Sequence, residues 1–287
     1  MLVPVLGVLF DGLAYGMLLF LLSVGLSVTL GMMNFVNLAH GSFAMLGGYV
    51  TVTLIERFGW PFLATLPVAF LSAAAVSVLL ERTLYRRLYR ASELDQCLLT
   101  IGIVFISVAA FAWFYTTEQQ SARVPDYLKG SVQFMGVNFA VYRLFLILFG
   151  LAITASLVLL LEKTRFGAQV RAAVDNQRMA RGLGIDVDRA FMFTFALGGG
   201  LAGLGGALSI EVIGLDPAFA LTYLVYVLIV VAVGGLGSIG GSFAAATVLG
   251  ISDMAGKYYF PWLGAFLIYL VMVALLMWRP AGLFGKR

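Results

Sequence analysis

Long apolar runs separated by short polar breaks fill the whole chain, and their lengths predict helices. The runs Leu13 to Gly31, Pro61 to Leu80, Cys97 to Tyr115, Tyr142 to Leu161, Ala190 to Ile210 and Trp262 to Trp278 approach the roughly 20 residues a helix needs to cross hydrocarbon. Leu221 to Val233 is shorter. Phe43 to Ile55 and Ala244 to Gly256 hold only about 13 residues each, a length that suits re-entrant or partial helices as well as full spans. A membrane β-barrel would instead show ten-residue segments of alternating polarity, and the chain has none. The pattern predicts an all-α polytopic membrane protein: one transmembrane domain over residues 1–287, with about eight or nine transmembrane or partly re-entrant helices. Thr116 to Val141 is expected as the largest external loop.

The run 162–189, EKTRFGAQVRAAVDNQRMARGLGIDVDR, interrupts this pattern with six Lys/Arg and four Asp/Glu. Helical from about Gly167, it sets Arg171, Asp175, Arg178 and Arg181 on one side. Ala172, Met179 and Leu183, with Ala173 and Ala180 nearby, fall on the other. Arg171–Asp175 and Asp175–Arg178 have the spacing of helical ion pairs. Gly182 or Gly184 is placed to supply a left-handed stop. An amphipathic helix between two spans must rest on lipid headgroups or on another protein.

Composition agrees with the membrane class: 62% hydrophobic, 11% charged, against roughly 25% charged in soluble domains. The net charge of +4 reads as topology. Thirteen of the 18 Lys/Arg fall in 82–90, 163–189 and 279–287, which places those segments and the C-terminus on the cytoplasmic side. The start, MLVPVLGVLFDG, lacks a basic region before its apolar run, so no cleavable signal is expected. Cys97 is the single cysteine, expected as a small packing residue.

The motifs carry little enzyme chemistry. Gly235-x-Gly237-x-x-Gly240 fits a dinucleotide pattern, but no strand precedes it and no acidic residue follows in place. With Gly199-x-x-x-Gly203 and Gly237-x-x-x-Gly241, these glycines (Gly199, Gly203, Gly235, Gly237, Gly240 and Gly241) are expected as helix breaks or close helix contacts. GISDMAGK, residues 250–257, has the wrong spacing for a phosphate loop. No cofactor or metal site is expected on this chain. The polar residues Asn34, Asn37, His40 and Ser42 between two apolar stretches either line a solute pathway or sit in a loop at the headgroup boundary. Asp11, Glu211, Asp216 and Asp253 border the outer ends of spans, where they face water, meet a passing solute or contact a docking protein. An internal echo, Gly41-Ser42-Phe43-Ala44 and Gly241-Ser242-Phe243-Ala244, hints at interrupted helices in corresponding places of two halves.

The block MNFVNLAHGSFAMLGGYV, the stretch TRFGAQVRAAVDNQRMARGLGIDVDRAFMFTFALGGGLAGLGGAL, then GGLGSIGGSFAAATVLG and the terminal RPAGLFG together resemble the permease subunits of branched-chain amino acid ABC transporters. The likeness is nearest the smaller of the two permease types and runs in order over nearly the whole chain. It implies a permease translocating branched-chain or related hydrophobic amino acids by alternating access across a bacterial inner membrane. It further implies a second homologous permease, an external solute-binding protein, and two cytoplasmic ATPase subunits that carry ATP and magnesium. Arg171, Ala172, Asp175, Arg178, Met179, Arg181, Gly182 and Gly184 would then belong to the loop that couples to the ATPases. A stand-alone channel or ion-coupled transporter for a small solute such as urea or an amide is the rival. Such proteins often bury an ionisable group in mid-span, and these runs hold almost none.

Overall fold

The computed structural model describes residues 2–33, 35–89, 91–121, 125, 127–134 and 137–285. Among them, α1 (Leu2–Met33), α2 (His40–Phe58) and α3 (Phe62–Thr83) lead through a short 3-10 turn at Tyr85–Leu88 to α4 (Glu93–Tyr115). A hairpin of β1 (Ser131–Phe134) and β2 (Val137–Ala140) precedes α5 (Val141–Lys163). The short α6 (Arg165–Asp175) and α7 (Gln177–Gly182) follow, then α8 (Val187–Ser209), α9 (Phe219–Gly234), α10 (Ile239–Tyr259) and α11 (Gly264–Trp278). By length and composition, α1, α3, α4, α5 and α8 are each able to cross a membrane.

Polar side chains start several of these helices. Ser92, Thr164, Asn176, Asp186 and Ser238 each accept a backbone N–H in the first turn, of α4, α6, α7, α8 and α10 respectively, which satisfies donors that have no intrahelical partner. The two stretches of about 13 apolar residues extend into helices of 19 and 21 residues, about 28 and 32 Å long. The expected external loop contains the hairpin, and Phe139 on β2 packs edge-on against Phe10 of α1 at 4.7 Å.

The core is built around α1, which is buried almost without a break from Ala14 to Val28. It runs from the hairpin end towards the basic end, where the segments rich in Lys and Arg gather. α8 runs the opposite way and crosses α1 where Gly25 meets Gly198; a Cβ on Gly25 would overlap the Gly198 carbonyl oxygen. α3 packs along α8, and α10 along α1. Helices α1–α3 and α8–α10 are therefore two similar units of opposite direction, each a central helix, a helix begun inside the bundle, and a helix laid on the other unit's centre.

The sequence echo does not mark this correspondence. Its copies open α2 and α10, whereas the counterpart of α2 is α9 and that of α10 is α3. Without a solvent-driven hydrophobic force between membrane helices, such packing depends on close van der Waals approach of small residues.

Replacing Gly25 by leucine should abolish the α1–α8 crossing, seen as loss of monodisperse protein in mild detergent. Replacing Gly240 by alanine fills open space and should raise the thermal midpoint slightly, since alanine exceeds glycine in helix propensity by up to about 1 kcal/mol.

Candidate functional site

Two helices begin in the interior of the bundle and face each other there. The ring of His40, the first residue of α2, donates from Nε2 to the Leu22 carbonyl at 3.0 Å. Leu22 lies eleven residues before the end of α1, about 16 Å back from that end. Gly41 lies against the first turn of α9: a Cβ there would come within 2.6 Å of the Ala220 carbonyl oxygen. The chain enters each helix through a non-helical run, 35–39 from the basic end and 210–218 from the hairpin end.

Backbone polar groups in such runs have no helical partner, and in hydrocarbon they must find one within the protein. In the first run, Val36 N donates to Gln96 Oε1 at 3.0 Å, Leu38 N to Thr100 Oγ1 at 3.2 Å, and Ala39 N to Asn37 Oδ1 at 3.1 Å. Gln96 is itself held by the Leu88 carbonyl, to which its Nε2 donates at 3.1 Å. In the second run, Leu215 exchanges backbone hydrogen bonds of 2.7 and 3.0 Å with Gln120, and Gln119 Nε2 donates to the Ile213 carbonyl at 2.9 Å. One clamp comes from α4 and the other from the loop after it.

Of the four residues expected along a pathway, Asn37 and His40 are buried and their side chains bond to backbone. Ser42 is buried with its hydroxyl unpartnered. Asn34 lies outside the described residues. Among the glycines, Gly199 and Gly203 press on Ser77 and Ala73 of α3, and Gly241 on the Gly234 backbone. Gly235 and Gly237 have φ of 92° and 76°, a left-handed conformation that glycine alone adopts without strain, and both make backbone contacts, with Gly285 and Gly31. Gly240 is a correction: it is exposed in the first turn of α10 and packs on nothing.

At the basic end the single predicted amphipathic helix is two. It breaks at Asn176 (φ −152°, ψ 96°), whose side chain accepts from Met179 N at 3.0 Å and starts α7. The break separates Asp175 from Arg178, and neither forms the expected helical pair. Arg171 donates to the Leu161 carbonyl instead, and Arg181 pairs with Asp188 at 3.0 Å. Asp188 also pairs with Arg86 after α3. Gly184, with φ 82°, ends the segment, while Gly182 stands in open space. Val170, Ala173 and Ala180 face inward onto Val187, Ala190 and Phe191, and Ala172 is half-buried. Met179 and Leu183, expected on one apolar side with Ala172, Ala173 and Ala180, are exposed at 64% and 78%, beside exposed Arg178 and Asp175. A short helix with apolar residues outside and inside is held by the bundle and free to hold something else.

Nearby, the Tyr89 hydroxyl donates to Glu81 Oε1 at 2.7 Å. Burial, and then the Glu81 carboxylate, push this phenol well above its ordinary value, so it remains a donor. Gln96 and Thr100 were not anticipated as site residues. Their signal was weak: two polar positions four apart near the start of an apolar run.

A family model for the branched-chain amino acid transport system permease component matches residues 8–276. A probable branched-chain amino acid transport permease, LivH of Methanocaldococcus jannaschii, is 30% identical over 97% of this chain and 92% of its own length. The high-affinity branched-chain amino acid permease BraD of Pseudomonas aeruginosa is 24% identical over 97% and 95%. LivM of Escherichia coli, a permease of the same kind of system, is 26% identical over 93% of this chain and 68% of its own. No solved structure matches the chain.

Replacing Gln96 by leucine strands the Val36 N–H, and an orphaned buried donor costs about 1–3 kcal/mol. Hydrogen exchange at Val36 to His40 should quicken accordingly while that of α10 stays at the wild-type rate.

Proposed function

The chain belongs to the branched-chain amino acid transport permease family, and from that premise we propose that it is one membrane subunit of an ATP-driven importer. It works beside a second, related permease and receives branched-chain or similar hydrophobic amino acids from an external solute-binding protein. The membrane is the bacterial cytoplasmic one, with the basic end inside. ATP and magnesium bind on two separate cytoplasmic subunits.

The observation that carries this reading is the α6–α7 platform. It presents Met179 and Leu183 with Arg178 at the surface, and its other face is packed onto the start of α8. Apolar side chains rimmed by charge make a docking face. Force on α7 reaches α8 and the end of α3 through the Arg181–Asp188–Arg86 chain of ion pairs. Exposed pairs of this kind are each worth only about 0–1 kcal/mol, so the apolar contact of Val170, Ala173 and Ala180 is the stronger link. α8 in turn crosses α1 at Gly198 and lies against α2, where a Cβ on Gly206 would overlap Ala44. Closing of the ATPase pair would thus be felt at the meeting of α2 and α9, opening that region to one side and then the other, a shift between two populated states. Residues 162–189 act as the coupling loop.

The test is co-purification from the native host in mild detergent, followed by uptake in liposomes. The second permease and two ATPases should accompany the tagged chain, and leucine uptake should require ATP. Arg178→Glu and Leu183→Asp should each reduce the recovered ATPase at least tenfold, with the second permease retained. A chain that purifies alone and conducts solute without ATP would establish the channel reading in its place.

A further inference from the structure

In the half of the bundle nearer the hairpin, two elements that touch each carry a buried polar atom with its hydrogen-bonding capacity unused. Asp216 lies in the non-helical run before α9. Its main-chain carbonyl accepts from Phe219 N at 3.0 Å, so the turn is closed without the side chain. Its Oδ1 is buried and accepts nothing, and Asp216 takes part in none of the ion pairs among the described residues. Across from it on α2, Tyr49 is 0% exposed, and its hydroxyl too is buried without a partner. Leu215, the neighbour of Asp216, has its side chain against Gly48, the neighbour of Tyr49. Aromatic rings cluster on both elements: Phe111 stacks on Tyr49 at 4.7 Å, Tyr115 meets it at 4.4 Å, and Phe219 packs on Tyr223 at 4.5 Å.

A buried carboxylate oxygen without a donor is costly, and it persists where a partner comes and goes. The N-terminus of α9 offsets part of the charge but, with Oδ1 unbonded, does not satisfy the oxygen. The absent partner is a cation that brings its own hydrogen-bond donors. A carboxylate on an element that meets a tyrosine- and phenylalanine-rich one offers the chemistry that holds an alkylammonium: a charge-assisted hydrogen bond to oxygen, with the remaining positive charge over aromatic faces.

We infer that Asp216 and the Tyr49 hydroxyl form a subsite for the α-ammonium group of the solute, on the external side of the meeting of α2 and α9. This rests on the reading of the chain as an amino acid permease. The backbone clasp of Leu215 by Gln120 fixes the carboxylate in place from the external loop. Asp216 then recognises what leucine, isoleucine and valine share, and leaves their side chains to the apolar walls.

The subsite is tested on the full chain in lipid nanodiscs, by saturation-transfer NMR from aromatic protons to three probes. L-leucine and isopentylamine carry the ammonium, and 4-methylpentanoate lacks it. The first two should show transfer and the third none. Asp216→Asn should weaken isopentylamine at least tenfold, Asp216→Glu should keep most of the binding, and Tyr49→Phe should fall between. Melting of each variant at the wild-type temperature separates lost binding from lost folding. Equal binding of the amine to Asp216→Asn and wild type would overturn the subsite, as would binding of 4-methylpentanoate as strong as that of the amine. Displacement of the amine by millimolar sodium would do the same, assigning the place to an inorganic cation. The importer reading fails separately, if the assembled complex shows no ATP-dependent uptake while the amine still binds through Asp216.

Discussion

Every backbone amide inside hydrocarbon needs a partner, and this structure depends on how two non-helical stretches meet that demand. A helix satisfies its own amides; the runs 35–39 and 210–218 do so only in part. The first is held by Gln96, Thr100 and Asn37, and the second by Gln119 and Gln120. Without those bonds α2 and α9 would have no reason to begin inside the bundle, and their first turns would not meet at Gly41 and Ala220. The functional character of the middle of the molecule follows from this local solution of a general constraint. It also explains why α4, most of whose surface faces outward, turns Gln96 and Thr100 inward.

The class of fold was legible from the apolar runs alone, and the spans followed within about five residues except at α1, which begins at Leu2 and not Leu13, because hydrocarbon sets the length of a spanning helix and few polar residues can interrupt it. What escaped was long-range. Gln96 and Thr100 look like ordinary polar residues in an apolar run until Val36 and Leu38 are brought against them, about sixty positions away in sequence. His40 and Asn37 look like pathway residues because polar groups between apolar runs are rare; in the fold His40 Nε2 and Asn37 Oδ1 bond to backbone. The break at Asn176 was missed because the pattern of charge continues through it; only the competing bond of its side chain to Met179 N turns one helix into two. With that break the expected apolar side divides, Ala173 and Ala180 packing inward and Met179 and Leu183 remaining exposed.

The similarity of the two units was likewise invisible in residue identity. α1–α3 and α8–α10 share direction-reversed packing and an interior helix start, but the four-residue echo fell on non-corresponding helices. Small residues recur wherever backbones touch, so a match of glycine and serine reports closeness, while kinship of two halves is carried by the order and direction of whole elements.

The crossing of α1 and α8 has a mechanical meaning. Gly198 stands midway between Val187 and Ser209, so the contact with Gly25 divides α8 into two arms of about 16 Å each. Two backbones in contact with no side chain between them resist separation and compression, but they resist rotation least. Such a point is a fulcrum. A tilt of α8 about it would return at one face of the membrane, with opposite sign and equal size, whatever displacement is applied at the other.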